Sequence, residues 1–126
     1  VLPDRCTNTT NHTMIRLTVL YNLADHVNED EFLEWRLGEH QESNMSSPGV
    51  LRSDFGRIDA LALDPTGSSE SNPPHRFMTT ADWPDMESFR SAFYAPEMQE
   101  SLQKSMHMLK DPLFLVSEVL IEGSNS

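Results

Sequence analysis

The sequence predicts an α+β fold: two helices on one face of a four-stranded antiparallel sheet, in the order β-α-β-β-α-β. Three observations predict it. Residues 14–21 alternate with a period of two, so that Ile15, Leu17, Val19 and Tyr21 share a dry face and Met14, Arg16, Thr18 and Leu20 a mixed one. That is the pattern of a half-buried strand. Two later stretches carry helical spacing behind start signals. The last stretch, residues 113–121, is apolar on both faces, with Leu113, Leu115, Val119 and Ile121 on one and Phe114, Val116 and Leu120 on the other. This order is that of the ferredoxin-like split β-α-β unit, with the helices packed on one side of the sheet.

Each element has its own warrant. Asn28 stands at an N-cap position, and Glu31 three residues on completes a capping box. The acidic first turn suits the helix dipole. Phe32, Leu33, Arg36, Leu37 and His40 follow at helical spacing, and the helix is expected to end at residues 41–44. Pro48-Gly49 then marks a turn. Residues 50–63 read as one long strand or two pieces, with Gly56 at a bulge or a close backbone approach. Residues 64–74 are a polar loop rich in turn formers. Residues 75–83 resume a strand with Phe77, Thr79, Ala81 and Trp83 on one face. Pro84 fits the first turn of a second helix whose stripe is Met86, Phe89 and Phe93. Ala95-Pro96 interrupts it, and a second segment over residues 96–109 carries Met98, Leu102 and Met106 on one stripe. Pro112 is expected to close that helix. The domain is thus residues 14–122, with 1–13 a polar extension and 123–126 a short tail.

Composition narrows the function. The chain has 126 residues and a formal net charge of −11, from 20 Asp and Glu against 9 Lys and Arg. The length fits one domain. The charge argues against a nucleic-acid partner, because phosphate binding needs a clustered positive surface. The cations are scattered, so no membrane-binding patch is expected. No apolar run reaches the roughly 20 residues that a bilayer span needs. The acidic residues fall on helix starts and read as solvated faces. The single cysteine, Cys6, permits neither an intrachain disulfide nor a cysteine zinc site, and it suits a cytoplasmic protein. The doubly apolar last strand leaves the second sheet face in need of cover. The simplest cover is a second copy, so a homodimer is expected.

Residues 14–21, the Phe32-x-x-Trp35-x-x-x-x-His40 spacing, residues 85–93 and the Ala95-Pro96-Glu97-Met98-Gln99 step together resemble the EthD type of dimeric α+β barrel protein. The resemblance covers residues 14–122. It implies two ferredoxin-like subunits whose sheets pack face to face, each keeping a small cavity between sheet and helices. Relatives in the wider superfamily include cofactor-independent monooxygenases, haem-degrading enzymes and small decarboxylases or isomerases. Where many members carry Met-Pro after the first-helix histidine, this chain has Gln41-Glu42.

His40 is the candidate catalytic residue. It shares the face of Leu33, Arg36 and Leu37 and is placed to enter a cavity as a general base. The competing reading is a helix-end histidine that caps the last carbonyls. Tyr21, Trp35, Arg36, Arg52, Phe77 and His107 are candidate substrate-binding residues, with core or dimer interface as the alternative for the aromatics. His26, His75 and His107 show no metal-ligand spacing with His40 or one another. No nucleophile elbow or phosphate loop occurs, so no metal and no other cofactor is expected. The expected function is binding of a small apolar metabolite, with cofactor-free proton transfer, isomerisation or decarboxylation in a catabolic pathway. The first alternative is a non-catalytic dimeric accessory protein. The second is a monooxygenase, cofactor-free or haem-related, with Asn22, Trp83 and a helix histidine as haem candidates.

Overall fold

A computed structural model describes residues 13–45, 47–63 and 73–123. Cys6, most of the polar extension, most of the 64–74 loop and most of the tail lie outside the described residues. Strands β1 (Ile15–Leu23), β2 (Arg52–Arg57), β3 (Phe77–Trp83) and β4 (Leu109–Glu118) form one sheet in the order β2-β3-β1-β4. Every neighbouring pair is antiparallel. This is the ferredoxin-like βαββαβ architecture that the element order predicts. β1 is central because it can be dry on one face and half apolar on the other. β2 and β4 are the edges, and the charged ends of β2 suit an unpaired edge.

The first helical region is longer and less regular than its spacing implies. It comprises α1 (Glu29–Trp35), a π-helical turn (Arg36–His40) and α2 (Gln41–Met45). Asn28 caps α1, its Oδ1 accepting from the Glu31 N–H at 2.9 Å. Glu29, in the acidic first turn, is no free solvated charge: it accepts from Arg76 at 3.1 Å and faces Arg57 at 3.5 Å. The π turn contains Gly38, a weak helix former, and it breaks the expected periodicity. Phe32 and Arg36 stay on the buried side, but Leu37 is 64 % exposed. The expectation that Leu37 shares the inner face therefore fails at the extra residue in the turn.

The second helical region has α3 (Met86–Phe93), α4 (Pro96–Ser105) and a 3₁₀ turn (Met106–Met108). Asp85, not Pro84, begins α3: its Oδ1 accepts from the Ser88 N–H at 2.7 Å. Pro84 thus precedes the cap instead of sitting in the first turn. Pro96 takes the first position of α4, where its missing N–H costs nothing.

Three strand boundaries also depart from expectation. β2 stops at Arg57, so residues 58–63 are not strand. Gly56 pairs with Met78 in regular register, without a bulge. The irregularity lies in β4, which starts at Leu109 and runs through Pro112. Leu20 pairs with Leu113 and Asn22 with Lys110, so Asp111 and Pro112 together oppose Tyr21. Asp111 takes a φ of 53°, the left-handed conformation that such a bulge uses. Pro112 is tolerated because it lies on an edge strand and at a bulge, where no ladder N–H is required.

The inner face of the sheet is packed at both ends. One cluster joins Ile15, Ala81 and Trp83 to Phe89 and Ala92 of α3. The other joins Val19, Tyr21 and Phe77 to Phe32 of α1. Leu17 touches both clusters. Among the described residues, no helix covers the outer face. There Arg16 grips Asp82 with two bonds, of 2.8 and 3.1 Å. Further along the same face, opposite Thr18 and Leu20, Met78, Leu113 and Leu115 are 39–47 % exposed. Among the described residues, no helix is long and apolar enough to cross a membrane.

The left-handed Asp111 yields a stability prediction. Asp111→Val is expected to lower the unfolding free energy by about 1–2 kcal/mol, because a β-branched side chain is strained there. Asp111→Gly should remain near the parent. Urea denaturation reads both, and equal losses would rule out backbone strain as the cause.

Candidate functional site

Between the two clusters the sheet and helices enclose a cavity of about 490 Å³ that is partly open to solvent. Its lining is mostly apolar: Leu17 and Val19 from β1, Phe93 and Phe114 at the sides, Met98 and Leu102 of α4 above. Amphipathic spacing explains the α4 contribution. Met98 and Leu102 are four residues apart and therefore on one face, while Met106 lies beyond the helix in the 3₁₀ turn and is 40 % exposed.

The π turn delivers the polar groups. Arg36 is 2 % exposed and borders the cavity. It donates to Gln41 Oε1 at 2.7 Å and to Thr79 Oγ1 at 3.3 Å. Its guanidinium carbon lies 4.4 Å from the centre of the Phe55 ring, a cation–π contact. Gln41 in turn donates from Nε2 to the Ser53 carbonyl at 3.0 Å. Burial pulls the Arg36 pKa down, and interaction with Tyr21 partly opposes this. The group stays a guanidinium nonetheless, since arginine does not deprotonate in proteins. Among the described residues, no carboxylate stands within ion-pair distance of it. A buried charge in that situation carries a desolvation penalty on the order of several kcal/mol, offset here only by neutral dipoles and a ring face.

His40 closes the same turn. Its ring centre is 4.4 Å from that of Trp35. Its pKa is lowered to about 4, first by burial and then by the charge of Arg36. At neutral pH it is therefore a neutral imidazole with one nitrogen free to accept. Tyr21 is 5 % exposed, and burial raises its pKa, so it stays a neutral phenol beside Thr79 and Arg36. Two further hydroxyls, Ser47 Oγ and Ser53 Oγ, are buried without a hydrogen-bond partner among the described residues, and both residues line the cavity. A neutral base, a fixed cation and unengaged hydroxyls thus converge on an apolar space.

Of the residues proposed from sequence, Tyr21, Trp35, Arg36 and His40 come together here. Three do not. Arg52 lies on the opposite face of the sheet, paired with exposed Asp54 at 3.0 Å, because its register partner is Asp82. Phe77 is fully buried behind Tyr21, with which it stacks at 5.8 Å, and belongs to the core. His107 is exposed in the 3₁₀ turn and stacks at 6.0 Å on His26, beside a separate small cleft. His40 stands in the last turn of the π-helical element, five residues before the helical region ends at Met45, and lines the cavity. Of the haem candidates, Asn22 is occupied elsewhere, bonding Pro74 O and the Arg76 N–H at 2.9 and 2.8 Å. Trp83 does line the cavity, but its Nε1 donates to Pro48 O at 3.1 Å. Ser53 and Gln41 carry no local sequence signal. Thr79 had one: it is the single hydroxyl on an otherwise apolar strand face.

The depressed basicity of His40 has a measurable consequence. The folded pKa of about 4 lies below the ordinary 6.5. The unfolded chain therefore binds a proton first as pH falls, and the stability His40 contributes is present above 6.5 and lost towards 4. An NMR titration of the His40 ring is expected to show a midpoint near 4. His40→Gln should reduce the loss of stability between pH 7 and 4.5, and an ordinary midpoint would contradict the buried placement.

Comparison with known proteins places the fold among relatives. The profile of the family described as REDY-like protein HapK matches residues 15–120. HapK from Hahella chejuensis aligns with 18 % identity and a TM-score of 0.63, over 89 % of this chain and 98 % of its own. An EthD family protein from Bacillus halodurans aligns with 22 % identity and a TM-score of 0.60, over 85 % of this chain and 99 % of its own. A dimeric ferredoxin-like protein of unknown function from Thermobifida fusca aligns with 20 % identity and a TM-score of 0.60, over 85 % and 92 %. No curated protein sequence matches the chain. The EthD-type resemblance read from the sequence thus holds at the level of the ferredoxin-like fold that these structures share. Because the matching profile spans residues 15–120 of the 126, the chain belongs to the REDY-like HapK family.

Proposed function

We propose that the protein acts as a homodimer, binds a small and mostly apolar metabolite in the cavity above the sheet, and moves a proton on it without a cofactor. The observation that carries this reading is the pairing of neutral His40 with buried Arg36 at one end of an apolar cavity. Charge separation is the costly part of proton abstraction in an apolar space. Here the imidazole takes the proton while Arg36 and the Tyr21 hydroxyl stand close to the negative charge left behind. The proton then returns from His40 to a different atom of the ligand, which makes the net change an isomerisation. If carbon dioxide leaves instead, the proton goes to the carbon that it vacates.

A binding role without turnover is the second reading. His40 is a weak base while the cavity is empty, and its contact with Trp35 lets it serve as part of an aromatic wall. The two readings separate in one series. N-phenyl-1-naphthylamine, a neutral apolar dye, is expected to bind the parent with a fluorescence rise, and Met98→Trp, which fills the roof, should abolish it. His40→Ala should keep dye binding while lowering turnover of a converted metabolite by about 10²–10⁴-fold, the range of a general base. Unchanged turnover would leave binding alone as the role.

The dimer rests on the outer sheet face. Met78, Leu113 and Leu115 are exposed there, on the same face as the Arg16–Asp82 pair. Packing a second sheet on this face would bury them symmetrically. The similar Thermobifida fusca protein is described as dimeric. Light scattering at micromolar concentration is expected to give twice the chain mass of 14.3 kDa. The single-chain mass would overturn the assignment.

A further inference from the structure

We infer that the ligand of this cavity carries a carboxylate at one end of an apolar body, and that Arg36 and the Ser53 hydroxyl receive it. This rests on the reading of the cavity as the binding site, and goes beyond it by naming the chemical class.

The first observation is a contrast between cations. Five cations, Arg16, Arg52, Arg57, Arg76 and Lys110, all substantially exposed, each face a carboxylate. Two others without an ion pair among the described residues, Arg90 and Lys104, stand exposed in solvent. Arg36 is by far the more buried, yet among the described residues it has none, although the chain holds 20 acidic side chains. It is met by neutral groups, the oxygens of Gln41 and Thr79 and the Tyr21 hydroxyl, and Phe55 offers only a ring face. A guanidinium has five N–H donors, more than these three oxygens need take up. A purely structural buried arginine gains most from a carboxylate of its own chain. Leaving that acid out keeps the charge available to an incoming one.

The second observation is independent. Ser53 is 6 % exposed, lines the cavity, and its Oγ has no hydrogen-bond partner among the described residues. An unmet buried hydroxyl is unfavourable unless something arrives to meet it. The two donors are also held together. Gln41 accepts from Arg36 through Oε1 and donates to the Ser53 carbonyl through Nε2, bridging the π turn to β2. One guanidinium and one hydroxyl match the two oxygens of a carboxylate monoanion. Away from this corner the lining is apolar, with Leu17, Phe93, Met98 and Leu102, which fits a hydrocarbon body.

The test compares two probes of one shape and different charge, 2-naphthoate and 2-naphthamide, by isothermal titration calorimetry. The parent is expected to bind the naphthoate about tenfold or more tightly than the amide, as a charge-assisted bond does over a neutral one. Arg36→Gln should bring the two affinities within a few-fold of each other, and Ser53→Ala should narrow the ratio by a smaller factor. Equal affinity in the parent overturns the inference while leaving the cavity as a binding site. Failure of both probes, together with failure of the neutral dye, removes the binding site and the inference with it. The parent comparison decides the matter even if Arg36→Gln does not fold. In that event displacement of the dye by naphthoate but not by the amide supports the assignment, and equal displacement refutes it.

Discussion

Much of the structure follows from placing one guanidinium under a sheet. Arg36 is 2 % exposed, and a charge so placed must be met by something. The protein meets it with neutral groups drawn from four elements: Gln41 from the following helix, Thr79 from β3, the Phe55 ring from β2 and the Tyr21 hydroxyl from β1. These contacts fix how the first helical region lies on the sheet. They also explain the value of the π turn. Arg36 and Gln41 are five residues apart, and the widened turn lets the second side chain reach back to the first.

The same turn couples the two polar groups of the cavity. Arg36 supplies positive charge, and that charge together with burial holds His40 neutral. Any negative charge brought near Arg36 would relieve the repulsion and strengthen His40 as a base. Binding and basicity are therefore linked in sign, a coupling that arises from position alone. The apolar clusters at either end set the room for it. They pack the sheet at Trp83 and Phe89 on one side and at Phe77 and Phe32 on the other, and leave the middle unfilled. α4 spans this gap without a single fully buried residue. A helix so lightly anchored covers a cavity more readily than it builds a core.

Local signals carried most of the fold. The alternation in β1 appears in the structure with Ile15, Val19 and Tyr21 buried. The cap at Asn28 is present, and so is the order of strands and helices. The misreadings have physical causes. Pro112 was a helix stop by rule, yet it lies in a strand because the strand is an edge and bulged there. Leu37 was an inner-face residue by helical spacing, yet it is exposed because the helix carries an extra residue per turn at that point. Arg52 was a pocket residue by chemistry, yet cross-strand register turns it to the opposite face. For Pro112 and Arg52 a strand distant in sequence overruled a local preference, and for Leu37 the local helix geometry itself departed from the regular period.

The sequence by itself determined the element order, the dry face of β1 and four of the residues that meet in the cavity, because periodicity and capping depend on residues a few positions apart. Only the tertiary structure decided that Ser53 and Thr79 join them, from strands more than ten and forty residues beyond Arg36. It also decided that the buried cation stands without an acid among the described residues. Whether a charge is paired depends on what folding brings near it, and spacing along the chain holds no record of that.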